Sequence, residues 1–254
     1  YQARAVGGAD GIQIVQSHMG CGQGFLDDLG FRDLRTVKVC SCYHLKILTE
    51  IKMIHDLRHI EGRLCGCDVV LSICGVGKIN AAIYTQLMID KFAPDEIIHT
   101  GIAGSLDPAV KHLDVVIADG LTYHDVRKSQ LTELFPFRQV FPTDPELTGL
   151  LLESAGTVRT HKGMILTGDL FVTDAASKTR LKEQFPMALC VEMESCAVAH
   201  TAFVNKIPIA VVRCISDLAD GAAHEDYDEF EKKASDTAAE IVMRILKKMG
   251  ENRG

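Results

Sequence analysis

No apolar run in the 254 residues reaches the roughly 18 that a membrane-spanning helix requires, and the first residues lack a signal-peptide pattern. The expected compartment is the cytoplasm, with no membrane partner. Blocks of Lys and Arg are missing too, and a formal net charge of −7 gives a field that repels polyanions, so no nucleic acid is expected. Neither the phosphate loop G-x4-G-K-[ST] nor the dinucleotide motif G-x-G-x-x-G occurs, which sets nucleoside triphosphates and NAD aside. No Ser or Cys stands in a convincing nucleophile triad. Repeats, low-complexity tracts and interdomain linkers are lacking as well.

Cysteine, in contrast, is plentiful. Six of the nine (Cys21, Cys40, Cys42, Cys65, Cys67, Cys74) lie in the first third, with His44, His55 and His59 nearby. Their close spacings are C-x-C, not the C-x2-C of structural zinc sites, so no metal is expected. An odd count without a regular framework fits a reduced compartment, where buried Cys acts as a small hydrophobe.

The length suits one domain over residues 1–254. From Cys67 the pattern is regular. "CDVVLSIC" reads as a strand, "GVGK" as a turn and "INAAIYTQLMIDKF" as a helix; "DEIIHTGIAGS", "LDVVIADGLTYHD" and "HKGMILTGDLFVTD" read as further strands. Then "AASKTRLKEQF" is a helix, "MALCVEM" a strand, "ESCAVAHTAFVNK" a helix, "IPIAVVRCISD" a strand, and "YDEFEKKASDTAAEIVMRILKKMG" a closing amphipathic helix. This alternation predicts an α/β fold whose sheet is largely parallel or mixed, with helices on both faces and a site at the carboxyl ends of strands. The first 60 residues hold no sustained period, and only "VKVCSCYHLKIL" looks strand-like. Residues 125–146, with Pro136, Pro142 and Pro145, read as a long loop.

Asp217 directly follows the apolar strand "IPIAVVRCIS", where an acid can keep a raised pKa and donate a proton; a helix N-cap by Ser216 or Asp217 is the alternative. Glu194 also follows a strand and opens a helix. Glu192 and Glu194, two apart on an extended segment, share a face and can enter one pocket, with Met193 turned away or capping it; first-turn acids are the plainer reading. A carboxylate there can take two sugar hydroxyls and favour a cationic ring. The glycine turns "GVGK" and "GIAGS", the latter holding Ala103 and Gly104, permit close backbone approach to a ligand.

The ordered motifs "GVGKINAA", "HTGIAGSL", "YHD", "TGDLFV", "VEMESCAVAH" and "VVRCISDLAD" resemble those of the 5'-methylthioadenosine/S-adenosylhomocysteine nucleosidases of the purine nucleoside phosphorylase superfamily, over about residues 62–124 and 160–249. The resemblance implies a three-layer α/β/α sandwich with a mixed, mostly parallel central sheet. It implies a homodimer, and metal-free, cofactor-free hydrolysis of the bond between adenine and a 5'-thio-substituted ribose. It makes Asp217 the acid that protonates adenine N7, supported by Ser216. Glu194 would bind the ribose hydroxyls and Met193 would pack on the sugar. Phe171 would stack on adenine, the backbone of Val172 would read the base edge, and Arg213 would help hold the attacking water. Many phosphorylases of the superfamily carry an arginine two residues before the glycine turn; His99 stands there and favours water as nucleophile. A phosphorylase and a catalytically impaired nucleoside-binding relative are the alternatives. Relatives open with a short apolar strand followed by acids, one of which activates the water. That segment is not evident among residues 1–60, where Asp27, Asp28 and Glu50 are the nearest carboxylates and Glu50 is the candidate. The Gly-Gln-containing loop through which one subunit often helps close the other's pocket is not evident in "HDVRKSQLTELFPFRQVF" either, and Ile102 replaces a commoner small polar residue.

Overall fold

The computed structural model describes residues 11–16, 48–54, 57–217 and 227–252. The strands are β1 (Gly11–Gln16), β2 (Leu48–Ile54), β3 (Leu57–Leu64), β4 (Cys67–Ile73), β5 (Glu96–Ser105), β6 (Val115–Tyr123), β7 (Phe141–Pro142), β8 (Thr160–Thr167), β9 (Ala188–Glu192) and β10 (Ile209–Asp217). The helices are α1 (Lys78–Phe92), α2 (Lys128–Thr132), α3 (Pro145–Ser154), α4 (Ala175–Gln184), α5 (Ser195–Asn205) and α6 (Tyr227–Asn252).

One sheet runs β10-β6-β8-β9-β5-β1-β4-β3-β2, and β10 also pairs with β5. Strands β5, β10, β6, β8 and β9 therefore close into a ring, from which β1, β4, β3 and β2 extend as a wing. A ring is not the flat middle layer of a three-layer sandwich. The sheet is also less parallel than expected. β1 pairs in parallel with β4 and β5, β10 with β5, and β8 with β6 and β9; β2–β3, β3–β4, β5–β9, β6–β7 and β6–β10 are antiparallel. The likeness to an α/β/α arrangement lies in the helices, which cover both faces.

The period of two in the strands builds those faces. Along β10, Ala210, Val212 and Cys214 join one core with Leu147 and Leu151 of α3 and Ala238, Ile241, Val242, Ile245 and Leu246 of α6. Val211 and Ile215 join the other, with Ala81 and Ile89 of α1 and Ala197, Val198 and Ala202 of α5. A third, smaller cluster of Leu106, Leu166, Val172, Leu181 and Val191 lies under α4.

Two readings need correction. Residues 125–146 are not one long loop: α2, β7 and the start of α3 occupy them. Pro145 sits at the first position of α3, where its missing N–H costs nothing, and the Asp144 side chain accepts from the N–H groups of Glu146 and Leu147 at 3.0 Å each. The second concerns "GIQIVQ", which forms β1 between β4 and β5, inside the stretch where no period was visible. The strand-like segment 37–48 lies outside the described residues up to Leu48, which opens β2.

Candidate active site

The carboxyl ends of β5, β9 and β10 meet the segment after β8 at a cavity of about 440 Å³, its open mouth included. Leu170, Phe171, Val172, Val191 and Met193 supply apolar wall, Ile102, Ala103 and Gly104 bring the end of β5, and Glu192, Glu194 and Ser216 supply the polar groups. Phe171 keeps half its surface exposed, so the ring is available to a ligand.

The two glutamates do different work. Glu192, last in β9, is buried. Its Oε1 accepts from Thr167 Oγ1. Its Oε2 accepts from the N–H of Glu194 at 3.0 Å, the N–H and Oγ of Ser195 at 2.8 and 3.0 Å, and Arg213 Nη2 at 2.6 Å. It anchors the first turn of α5 and neutralises a guanidinium that is itself 0% exposed. Arg213 Nη2 also reaches His99 Nε2 at 2.6 Å, and Arg213 Nε and Nη2 donate to Ser195 Oγ at 3.1 and 2.8 Å. A guanidinium only donates, so His99 accepts on Nε2 and carries its ring proton on Nδ1.

Glu194 is 1% exposed and takes the N-cap position of α5. Its Oε1 accepts the N–H of Gly77 at 2.8 Å. Burial, and then the charge of Glu192, push its carboxyl up to about 7, against the pull of Arg213 and of the Gly77 and Met193 amides. Glu192 is thus fully engaged by protein groups, whereas Glu194 faces the cavity as a carboxyl that titrates near neutrality.

Comparison with known proteins fits this geometry. A profile described as "Phosphorylase superfamily" matches residues 35–247. The 5'-methylthioadenosine/S-adenosylhomocysteine nucleosidase of Staphylococcus carnosus is 35% identical over 208 residues, 80% of this chain and 91% of the relative. The chain belongs to the 5'-methylthioadenosine/S-adenosylhomocysteine nucleosidase family. Among solved nucleosidases, that of Neisseria meningitidis with methylthio-immucillin-A superposes at a TM-score of 0.81 with 27% identity, covering 94% of this chain and 99% of the other. The S. pneumoniae enzyme with a transition-state inhibitor gives 0.80 and 29%, covering 94% and 99%.

In this nucleosidase-family chain, Ala103, Gly104, Phe171, Val172, Glu192, Met193, Glu194 and Ser216 line one cavity. Asp217 ends β10 in register with Gly104, next to a bulge that begins at Ile215. Arg213 lies behind the wall, held by Glu192, Ser195 and His99. Glu50 is not brought there: on β2 its backbone pairs with Glu61 of β3, and β3, β4 and β1 stand between β2 and β5. Sequence reasoning missed Thr167, Ser195 and Gly77. Thr167 Oγ1 accepts from the N–H of Cys196 at 2.9 Å while donating to Glu192, tying β8, β9 and α5 together. The clue to Gly77 was the spacing of "GVGK": Gly75 and Gly77 have φ of 73° and 87°, a turn that aims an N–H at Glu194. Among the described residues, no helix is long and apolar enough to cross a membrane, and no group of three or more His, Cys, Asp or Glu side chains could hold a metal.

Proposed function

We propose that the chain hydrolyses the N-glycosidic bond of 5'-methylthioadenosine and S-adenosylhomocysteine, releasing adenine and the 5-thio-substituted ribose. The observation that carries this reading is one cavity in which the buried Glu194 carboxyl faces an apolar wall of Phe171, Val172 and Met193. Family membership supports it, as do relatives held with methylthio-immucillin-A or a transition-state inhibitor.

In this reading adenine stacks on Phe171 and meets the Val172 backbone, while the ribose hydroxyls bind Glu194 with Met193 against the sugar. Asp217 gives its proton to N7, with Ser216 in support, and C–N cleavage leaves an oxocarbenium-like sugar that the Glu194 carboxylate stabilises in a water-poor site. Water then adds at the sugar carbon. Arg213 acts from behind, through Ser195 and Glu192, on the geometry of this wall. His99 Nε2 is turned to Arg213, which supports water over phosphate as the nucleophile. Strand β1 supplies the family's opening strand, yet "SHMG" after it holds no carboxylate, and Glu50 is too far along the sheet. Asp27 and Asp28, the other nearby carboxylates in the sequence, lie outside the described residues; without a general base, hydrolysis is expected to be about 10²- to 10⁴-fold weaker.

A homodimer belongs to the same reading. Leu134, Phe135 and Phe137 are 61%, 67% and 68% exposed. They lie in the stretch where the Gly-Gln-containing loop of the family is not evident, and three large apolar side chains so close together are unusual for a free surface.

The test is adenine release from 5'-methylthioadenosine without and with phosphate. Release in phosphate-free buffer is expected, and Asp217→Asn is expected to abolish nearly all of it while adenine still binds. Release only with phosphate would make the chain a phosphorylase, binding without release would make it an impaired relative, and wild-type turnover in the Asn variant would remove Asp217 from the acid role.

A further inference from the structure

Three motifs that the proposed reaction leaves without a role, "GVGK", "YHD" and "TGD", meet beside the cavity. Lys78 Nζ lies 2.7 Å from both carboxylate oxygens of Asp125 and 3.2 Å from Asp169 Oδ2, with the Tyr123 ring centroid 5.6 Å away. The Lys78 N–H donates to Asp169 Oδ1 at 3.2 Å, and the Asp169 N–H to Asp125 Oδ2 at 2.9 Å. Asp169 opens the segment whose next three residues, Leu170, Phe171 and Val172, are cavity wall. One residue before Lys78, Gly77 holds Glu194.

Helix α1 explains why two distant acids gather there. Its N-cap, Gly77, has no capping side chain, its first turn has no acid, and it begins with a lysine, the wrong charge for the positive end of a helix. Glu194 and Asp169 accept the N–H groups of Gly77 and Lys78 in place of a cap, and Asp125 with Asp169 offsets the ammonium. Lys78 and Asp125 are mostly buried, with side chains 18% and 22% exposed, so this is not a loose surface pair. Burial would lower the Lys78 ammonium, but its bonds to Asp125 and Asp169 outweigh that and raise it. His124, between Tyr123 and Asp125, packs so closely on Gly168 that any side chain at 168 would strike it. The segment entering the wall is clamped from both sides.

We propose that Lys78, Asp125 and Asp169 form a latch that positions the two halves of the proposed nucleoside site at once, the base wall through Asp169 and the sugar carboxylate through the turn at Gly77. They are positioning residues, since their described contacts are with one another and with the backbone of the walls. The inference rests on the function proposed above.

The test compares wild type with Lys78→Met and Lys78→Arg in three readouts: kinetics with 5'-methylthioadenosine, adenine affinity, and amide exchange of residues 74–79 and 168–173 without ligand. For Lys78→Met, KM and the adenine dissociation constant are expected to rise about 10- to 100-fold, the worth of one hydrogen bond to a charged group. kcat should fall less, both segments should exchange faster, and Lys78→Arg should recover most of the loss. Unchanged affinity and exchange in Lys78→Met would overturn the latch, as would a general loss of stability that Arg does not repair while exchange at 168–173 stays slow. If wild type neither turns over nor binds adenine, the functional reading has failed. Exchange then decides the latch alone: faster in Lys78→Met supports it, and unchanged refutes it.

Discussion

Glu194 carries a cost that its neighbourhood does not remove. Its carboxyl titrates about 7 in the fold against 4.5 in the unfolded chain, because burial and Glu192 outweigh Arg213 and the amides. Between those pH values the folded state keeps a proton that the unfolded state has released, so this group's contribution to stability falls as pH rises from 4.5 and is fully lost above 7. Glu194→Gln keeps the shape and an acceptor for Gly77 but removes the charge. Thermal unfolding is expected to show the variant a few degrees more stable than wild type at pH 8.5 and nearly equal at pH 4.5. A uniform offset at both pH values would refute the assignment. In the proposed reaction the same substitution should lower kcat/KM. The residue type and spacing of "VEMES" announced two acids at a pocket, but not that one would be consumed by α5 and Arg213, because its partners Thr167 and Arg213 lie 25 and 21 residues away in sequence.

At the scale of elements, most helices and strands after Cys67 were legible because each repeats its own period and ends in its own turn residues. Helix α3 was not, since Pro142, Pro145 and Gly149 look like breakers until Pro145 is placed at the helix start. Strand β1 was not, because six residues hydrogen-bonded to a parallel strand on either side need show no alternation. Helix α6 offers a test of element packing. Gly250 lies against the backbone of Cys65 and Gly66, and a Cβ there would run into the Cys65 carbonyl oxygen. Alanine favours a helix over glycine by about 1 kcal/mol, but a backbone contact cannot yield as a flexible side chain would. Gly250→Ala is therefore expected to lower the melting temperature, and a rise would mean that the turn at Cys65 moves freely.

Across the whole molecule, packing of helices and wing against the ring puts four thiols beyond reach. Cys74, Cys190, Cys196 and Cys214 are buried, and desolvation, before any neighbouring charge, pushes each thiol well up; Cys65 is exposed on the β3–β4 turn. Brief alkylation of the native protein followed by peptide mapping is expected to label Cys65 and spare those four, all of which should label after unfolding. Native labelling of Cys190 or Cys196 would show that the ring opens. These thiols act as small apolar side chains, the role expected of buried Cys from an odd count without a regular framework.

What the sequence determined by itself was local: periods of two and 3.6, the glycine turns, and the ordered motifs that mark the nucleosidase family. These are set by neighbours within a few residues, so they survive in a linear reading. The tertiary structure decided the rest. It closed β10 onto β5 and β6, gave Glu192 to Arg213 and Glu194 to Gly77, and joined Lys78 to acids 47 and 91 residues away. A buried charge must find a partner wherever the fold offers one. Which partner that is depends on which strands become neighbours in the sheet, and no single strand's own sequence names its neighbour.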